Sequence, residues 1–195
     1  MNPRLAELLV EIEQRGAEND ERETDRSRRM LNLERDTARL LSILARSTRA
    51  RRVLEVGTSN GYSTIWLASA VADAGGRVVS IDRNAEKQAM ARENLRRAGL
   101  ADSVELRLGE ASAVVQELSG PFDLVFFDGD RTSAPEQLGL LLPKLAPAVL
   151  VLADNVFSHP LEIAQYLSAV TKLDGFDHVV VPIGKGLSLS YRGSG

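Results

Sequence analysis

Residues 52–68 read RVLEVGTSNGYSTIWLA, an apolar segment followed by a glycine-containing loop and a helix-forming segment. Loops of this kind bind nucleotides at the start of a helix. A dinucleotide requires the spacing G-x-G-x-x-G, which lets backbone amides approach a pyrophosphate. Gly57 and Gly61 are present, but Ser59 and Tyr62 hold the second and third glycine positions. The loop therefore disfavours NAD and other dinucleotides.

A ligand without phosphates needs less from this loop. The tight turn at Gly57 and free space at Gly61 are enough for an adenosine joined to an amino acid. S-adenosylmethionine has this composition, and we predict that it is the cofactor.

Short, continuous apolar segments alternate with segments of helical periodicity along most of the chain. The predicted strands are 53–56, 78–81, 104–108, 122–127, 148–152, 178–182 and 187–191, and the predicted helices between them are 63–71, 85–98, 113–118, 135–145 and 161–172. Continuous apolar strands that are each followed by a helix imply a parallel sheet covered on both faces. The turn 183–186 is too short for a crossover, so the last two strands are antiparallel to each other. We predict an α/β, Rossmann-like, doubly wound sheet with an antiparallel hairpin at its C-terminal edge.

The N-terminal part of the chain precedes this alternation. Apolar residues have helical spacing over residues 5–12 and again over residues 33–44, whereas residues 18–29 contain no apolar residue. We predict that residues 1–30 form an N-terminal helical extension. Its charged stretch is either a solvated segment or a lid over the substrate pocket.

Composition excludes several kinds of site. The chain has 195 residues, no cysteine and two histidines, so thiol nucleophiles, disulfides and an all-histidine zinc site are ruled out, and a metal must be bound mainly through oxygen. Its net charge of −3 gives no general attraction to nucleic acid, although Arg46 to Arg52 could form a local basic patch. Neither a membrane-spanning run nor a signal peptide is evident, and we expect a cytoplasmic protein without a membrane anchor.

Acidic residues occur where the predicted strands end, and ligands of open α/β sheets bind beyond those ends. Glu55 interrupts the first strand, where a buried carboxylate needs a cationic ligand or nearby backbone amides as partners. Asp82 ends the second strand, 25 positions after Gly57, where an acid can accept hydrogen bonds from a ribose. The alternative for Asp82 is a turn or a helix cap.

Three oxygen-bearing side chains follow the fourth and fifth strands. Asp128 begins the segment DGDR, and Asp154 and Asn155 follow the next strand. If these strands are neighbours, the three side chains converge and offer the donor set that magnesium prefers. Each segment alone could simply form a turn.

These motifs together resemble a known family. The segments VLEVGTSNGYSTIWLA, FDLVFFDGDR and VLADNV, with Asp82 between the first two, resemble the metal-dependent class I O-methyltransferases typified by catechol O-methyltransferase and caffeoyl-coenzyme A O-methyltransferase. The resemblance covers residues 31–192 and implies a seven-stranded sheet with an antiparallel last strand. It assigns residues 31–195 to an S-adenosylmethionine-dependent methyltransferase domain. It also implies methyl transfer to a hydroxyl of a small, catechol-like acceptor, assisted by a divalent cation such as magnesium, in a homodimeric protein.

The resemblance further implies roles for individual residues. The cofactor would lie against Leu33, Glu55, Gly57, Thr58, Ser59, Gly61, Tyr62, Ser63, Asp82, Glu110, Ala111 and Asp128. Within this set Asp82 would bind the ribose, and Glu110 and Ala111 would lie beside the adenine. Asp128, Asp154 and Asn155 match the magnesium ligands, and Asp128 and Arg131 would take part in catalysis.

Two positions depart from the family pattern. Arg131 stands where the family usually has a basic lysine, and a guanidinium cannot accept a proton at working pH. Ser188 stands roughly where the catechol enzyme has an acid that binds the second hydroxyl. Two other functions therefore stay open at this point: methylation of a modified tRNA base, and cofactor binding without catalysis.

Overall fold

The structure is a computed structural model that describes residues 2–194, so Met1 and Gly195, the outermost residues of the two predicted regions, lie outside the described residues. Seven strands form a single sheet: β1 (Arg52–Val56), β2 (Arg77–Asp82), β3 (Val104–Leu108), β4 (Phe122–Phe127), β5 (Leu145–Ala153), β6 (Asp177–Val181) and β7 (Leu187–Arg192). Their order is β3-β2-β1-β4-β5-β7-β6. The pairs among β1 to β5 are parallel, and β7 is antiparallel to both β5 and β6. The predicted fold is confirmed.

Helices cover both faces of the sheet. They are α1 (Pro3–Arg22), α2 (Arg35–Ser47), α3 (Tyr62–Val71), α4 (Ala85–Ala98), α5 (Ala111–Glu117), α6 (Ala134–Leu141) and α7 (Pro160–Val170). Buried residues of α1 to α4 form one hydrophobic core, and buried residues of α5 to α7 form the other. Successive residues of a strand point to opposite faces, so Val53 enters the first core and Leu54 the second. Because both faces are covered, the strands read as continuous apolar runs.

The N-terminal helix is longer than its apolar spacing predicts. Apolar residues mark only residues 5–12, but α1 continues through half of the charged stretch to Arg22. The ion pair of Arg22 with Glu18, one turn apart, supports this part of the helix, and a similar pair, Arg15 with Glu11, precedes it. The apolar half is not a separate unit, because its buried residues belong to the same core as α3.

No helix within residues 2–194 combines the length and the apolar character that crossing a bilayer requires.

Candidate active site

A cavity of about 1030 Å³ lies beyond the carboxyl ends of the parallel strands. The loops that follow β1 to β5 line it, together with residues of the N-terminal segment 26–33 and of the β6–β7 turn. The strand order reverses between β1 and β4, which is where open α/β sheets leave a crevice for ligands. The cavity therefore occupies the position that the strand-end acids predicted.

Gly57 brings the loops after β1 and β4 close together. It has a φ of 105°, and a Cβ atom at this position would lie 2.5 Å from the carbonyl oxygen of Asp128. A side chain would therefore both strain the turn and collide with the backbone of the second loop. This explains the glycine that was predicted to form the tight turn.

Gly61 packs the loop after β1 against a helix. It does not line the cavity, and a Cβ atom there would lie 3.1 Å from the Cα atom of Ala91 in α4. Its φ of 86° also begins α3 in the left-handed region. Gly61 is needed for close packing of the loop against α4, and its contact with the ligand stays a prediction.

Glu55 lies behind the cavity wall. It is completely buried and accepts hydrogen bonds from the hydroxyls of Ser63 and Ser80, both at 2.6 Å, and of Thr64. Burial nevertheless raises its pKa to about 7, since these bonds only partly offset the loss of water. The predicted partners were a cationic ligand or backbone amides, and hydroxyls take their place. Of this group, Ser63 lines the cavity.

Asp82 organises the loop after β1 and also lines the cavity. Its two carboxylate oxygens accept hydrogen bonds from the amides of Ser59 (2.8 Å) and Asn84 (2.9 Å). The Ser59 hydroxyl in turn donates to the carbonyl of Met30 at 2.7 Å. The turn interpretation of Asp82 therefore holds, and its contact with a ribose stays a prediction.

Most of the predicted cofactor residues line this one cavity, with Glu55 and Gly61 as the exceptions. Those on its wall are Leu33, Gly57, Thr58, Ser59, Tyr62, Ser63, Asp82, Glu110, Ala111 and Asp128. The Tyr62 hydroxyl is already engaged, because it donates to Glu13 of α1, and the Glu110 carboxylate caps α5 through the amide of Ala113.

Asp128, Asp154 and Asn155 converge as predicted, because β4 and β5 are paired neighbours with Phe127 opposite Ala153. The Asn155 amide group donates to Asp128 Oδ1 at 3.1 Å. Burial and the nearby charge of Asp154 raise the pKa of Asp128 well above its usual range. Burial also raises the pKa of Asp154, to about 6. The three side chains thus form an acidic group in which the ionised form of both carboxyls is destabilised.

This group fits a divalent cation. Asp154 Oδ1 is buried and has no hydrogen-bond partner within residues 2–194. A cation would satisfy that oxygen and offset the cost of two buried charges. Residues 2–194 contain no cluster of three His, Cys, Asp or Glu side chains that could hold a metal. The donor set here is instead two carboxylates, of Asp128 and Asp154, and the side-chain amide of Asn155. Magnesium bound in this way keeps positions for water and substrate oxygens.

Arg131 lines the cavity and forms an ion pair there. Its Nε and Nη2 atoms both contact Glu162 Oε2, at 2.9 and 2.8 Å, and its side chain is only 15% exposed. The ion pair fixes the guanidinium at the cavity wall. Ser188, by contrast, is fully buried in β7 and does not line the cavity.

Sequence reasoning missed Lys185, which lies in the turn between β6 and β7. Its ammonium group pairs with Glu34 at 2.8 Å, and its carbonyl accepts from the amide of Phe157. Burial alone would lower its pKa, but Glu34, Asp154 and Asp128 outweigh that effect and raise it. Because β6 runs parallel to β5, its end lies at the same sheet edge as Asp154. Applying the strand-end rule to β6 would have found this residue.

The charged N-terminal stretch also contributes to the cavity. Arg26, Ser27 and Arg28 line it, and Arg26 lies 3.3 Å from the ring of His159 on the other side. His159 itself begins α7. The stretch therefore lines the cavity after α1 has ended, and its action as a lid stays a prediction.

Comparison with known proteins identifies the family. The model of the O-methyltransferase family matches residues 11–172, which is most of the chain. The chain belongs to this family. This member is 38% identical to a catechol O-methyltransferase from Niastella koreensis over 122 residues, which cover 60% of this chain and 55% of the relative. It is 41% identical to a catechol O-methyltransferase from Mycobacterium tuberculosis over 119 residues, which cover 60% of this chain and 54% of the relative.

Its structure is also similar to a solved one. An O-methyltransferase from Bacillus cereus, determined in complex with SAH, matches with a TM-score of 0.82 and 26% identity over 96% of this chain and 91% of the other. The chain thus matches nearly the whole of that structure, whereas it spans about half the length of the two curated relatives.

Proposed function

We propose that this O-methyltransferase family member transfers the methyl group of S-adenosylmethionine to a hydroxyl of a small, catechol-like aromatic acceptor, with the assistance of a divalent cation. One observation carries the proposal. A glycine loop unsuited to a pyrophosphate and the acidic group Asp128, Asp154 and Asn155 line the same cavity, and Asp154 has a buried oxygen without a partner within residues 2–194. The named relatives and the SAH-bound neighbour support the same chemistry.

The cofactor would occupy the part of the cavity between β1 and β3. Asp82 ends β2 there, and Glu110 and Ala111 follow β3, so ribose and adenine fit this side. The amino acid part would then lie along Gly57 and Ser63 toward Asp128. This placement directs the sulfonium methyl group toward the ends of β4 and β5.

The acceptor would bind where Asp128, Asp154 and Asn155 meet, since these residues would hold the cation. A bound magnesium ion would lower the pKa of a hydroxyl that coordinates it. Methyl transfer from a sulfonium is an in-line displacement, so the protein's main task is to align the acceptor oxygen with the methyl carbon. The oxygen gains the methyl group, and the sulfonium becomes a neutral thioether.

Arg131 would act by charge. A guanidinium stays protonated at working pH and cannot serve as the base. Held by Glu162 at the cavity wall, it would stabilise the phenolate that forms when the acceptor hydroxyl releases its proton to solvent. Asp128 would contribute both to the cation site and to the wall beside the methyl donor.

The position of the arginines argues against a tRNA substrate. Arg46 to Arg52 precede or begin β1, at the amino end of the strand, whereas the cavity lies beyond its carboxyl end. Arg52 is occupied by the carbonyls of Ser119 and Gly120 at that opposite edge. An RNA bound by this patch would lie on the far side of the sheet from the methyl donor.

A labelled methyl-transfer screen tests the proposal. The purified protein is incubated with methyl-labelled S-adenosylmethionine and a panel of phenols with and without adjacent hydroxyls, in magnesium or in a chelator. We expect transfer to vicinal diols that needs the cation. Cofactor binding without transfer to any acceptor would instead favour a protein that binds S-adenosylmethionine without catalysis.

A further inference from the structure

A chain of hydrogen bonds joins the N-terminal segment to the acidic group. Arg26 Nη2 lies 3.3 Å from His159 Nε2, and His159 Nδ1 lies 2.9 Å from the Ser158 hydroxyl. That hydroxyl donates to Asn155 Oδ1 at 3.1 Å, and the Asn155 amide group donates to Asp128. The donors and acceptors of this chain match if the imidazole is neutral and carries its proton on Nδ1. Nδ1 then donates to the Ser158 hydroxyl, and Nε2 accepts from Arg26. Arg26 therefore lies a few side chains away from the predicted acceptor site.

The surroundings of His159 are rich in positive charge. Burial and the charge of Arg131 lower its pKa, Glu162 opposes this effect, and Arg26 and Lys185 add to it. Three cationic side chains from different elements thus act on one imidazole. They come from the N-terminal segment, the β4–α6 loop and the β6–β7 turn.

Within residues 2–194, no acidic side chain pairs with Arg26. Arg131 pairs with Glu162, and Lys185 pairs with Glu34. Arg26 forms no ion pair with any residue in the described range 2–194, and its polar contact there is the neutral ring of His159. The cation at the mouth of the cavity is therefore available to a ligand.

Arg26 is also held in place. Asp25 caps the turn at residues 26–28 by accepting from the amide and hydroxyl of Ser27. Met30 is anchored on both sides, since its amide donates to Asp20 at 2.7 Å and its carbonyl accepts from Ser59. A guanidinium on a fixed segment loses less entropy on binding than one on a free tail.

We propose that the acceptor carries a carboxylate on its ring, which binds Arg26 beside His159 while the hydroxyls face Asp128, Asp154 and Asn155. The natural substrate class is thus a hydroxylated aromatic carboxylic acid rather than a neutral catechol. This inference rests on the proposed function and adds the chemical class of the acceptor. A planar guanidinium suits a carboxylate because its N–H groups match the two oxygens.

Three acceptors with the same vicinal hydroxyls test it: 3,4-dihydroxybenzoate, its neutral amide 3,4-dihydroxybenzamide, and 4-methylcatechol. We expect the wild-type protein to prefer the acid by about tenfold in kcat/KM, chiefly through KM, as for one charge-assisted hydrogen bond. Arg26→Gln should remove most of this preference, and Arg26→Lys should keep part of it. The control Arg22→Gln should keep all of it, because Arg22 lies on the exposed surface of α1, paired with Glu18.

The outcomes separate this inference from the proposed function. Methylation of all three acceptors with equal kcat/KM would overturn the carboxylate site and leave the function intact. A preference for the acid that persists in Arg26→Gln would also overturn the role of Arg26. If none of the three compounds is methylated, both the acceptor class and the carboxylate site are wrong.

Discussion

Replacing Glu55 with glutamine should change how the stability of the protein depends on pH. Glu55 is completely buried, and burial raises its pKa from 4.5 to about 7 in spite of three hydroxyl donors. The folded protein therefore binds this proton more tightly than the unfolded chain does. As the pH rises above about 4.5, the unfolded chain releases this proton while the folded protein keeps it until about pH 7. The folded state therefore loses stability over this pH range.

The size of the effect follows from the two pKa values. Their difference corresponds to about 3 kcal/mol of unfolding free energy, which is present at low pH and lost above the folded pKa. Asp128 and Asp154 also have raised pKa values, but both are kept in the variant. Their contributions cancel when the variant is compared with the wild type, except that the charge of Glu55 helps to raise the pKa of Asp128, and its removal changes the difference in the same direction.

Urea unfolding, followed by circular dichroism on ligand-free protein, measures this difference. The unfolding free energy of Glu55→Gln minus that of wild type should rise by about 3 kcal/mol between about pH 4.5 and pH 8. This rise does not depend on how the two stabilities differ at low pH. Glu7→Gln is the control, because Glu7 is an exposed residue of α1. If the gap between Glu55→Gln and wild type stays constant over this range, as expected for Glu7→Gln, the reasoning about the buried carboxyl is refuted.

Three further substitutions test the loops around the cavity. Gly57→Ala should weaken binding of S-adenosylhomocysteine in calorimetry by about a hundredfold, because of the positive φ and the 2.5 Å contact, whereas Gly139→Ala, which meets no atom within 4 Å, should have no effect. Undiminished binding by Gly57→Ala would contradict the role of the turn. Arg131→Ala should lower kcat by about tenfold or more, and Arg131→Lys by less, whereas unchanged turnover in Arg131→Ala would show that its charge is not used. Ser59→Ala removes the donor to the Met30 carbonyl, so amide exchange measured by mass spectrometry should become faster in residues 26–33, and equal rates would mean that other contacts hold the segment.

The sheet could be predicted because its strands carry their own signal. Burial on both faces selects continuous apolar runs, and the bounds of β3 and β4 coincide with the predicted ones. The same logic brought Asp128 together with Asp154 and Asn155, since residues after paired parallel strands share one edge of the sheet. Only the order of the strands had to be assumed.

The other features of the fold and the site depend on tertiary contacts, which the spacing of residues along the sequence does not encode. Gly61 reads as a ligand-binding glycine, but its neighbour is Ala91 in a helix 30 positions away. The charged half of α1 lacks apolar periodicity, and the ion pair of Arg22 with Glu18 supports its helical conformation. Lys185 follows β6, and its place at the sheet edge of Asp154 depends on β7 lying between β5 and β6, so that β6 runs in the same direction as β5.

The dependence of methyl transfer on Asp154 and on magnesium tests the account most directly. The rate of transfer from S-adenosylmethionine to 3,4-dihydroxybenzoate is measured against magnesium concentration for wild type, Asp154→Asn and the exposed control Asp73→Asn. We predict that wild type and Asp73→Asn need the cation, and that Asp154→Asn loses about a hundredfold in rate while it still binds S-adenosylhomocysteine. Full activity of Asp154→Asn, or wild-type activity that a chelator leaves unchanged, would contradict the proposed site.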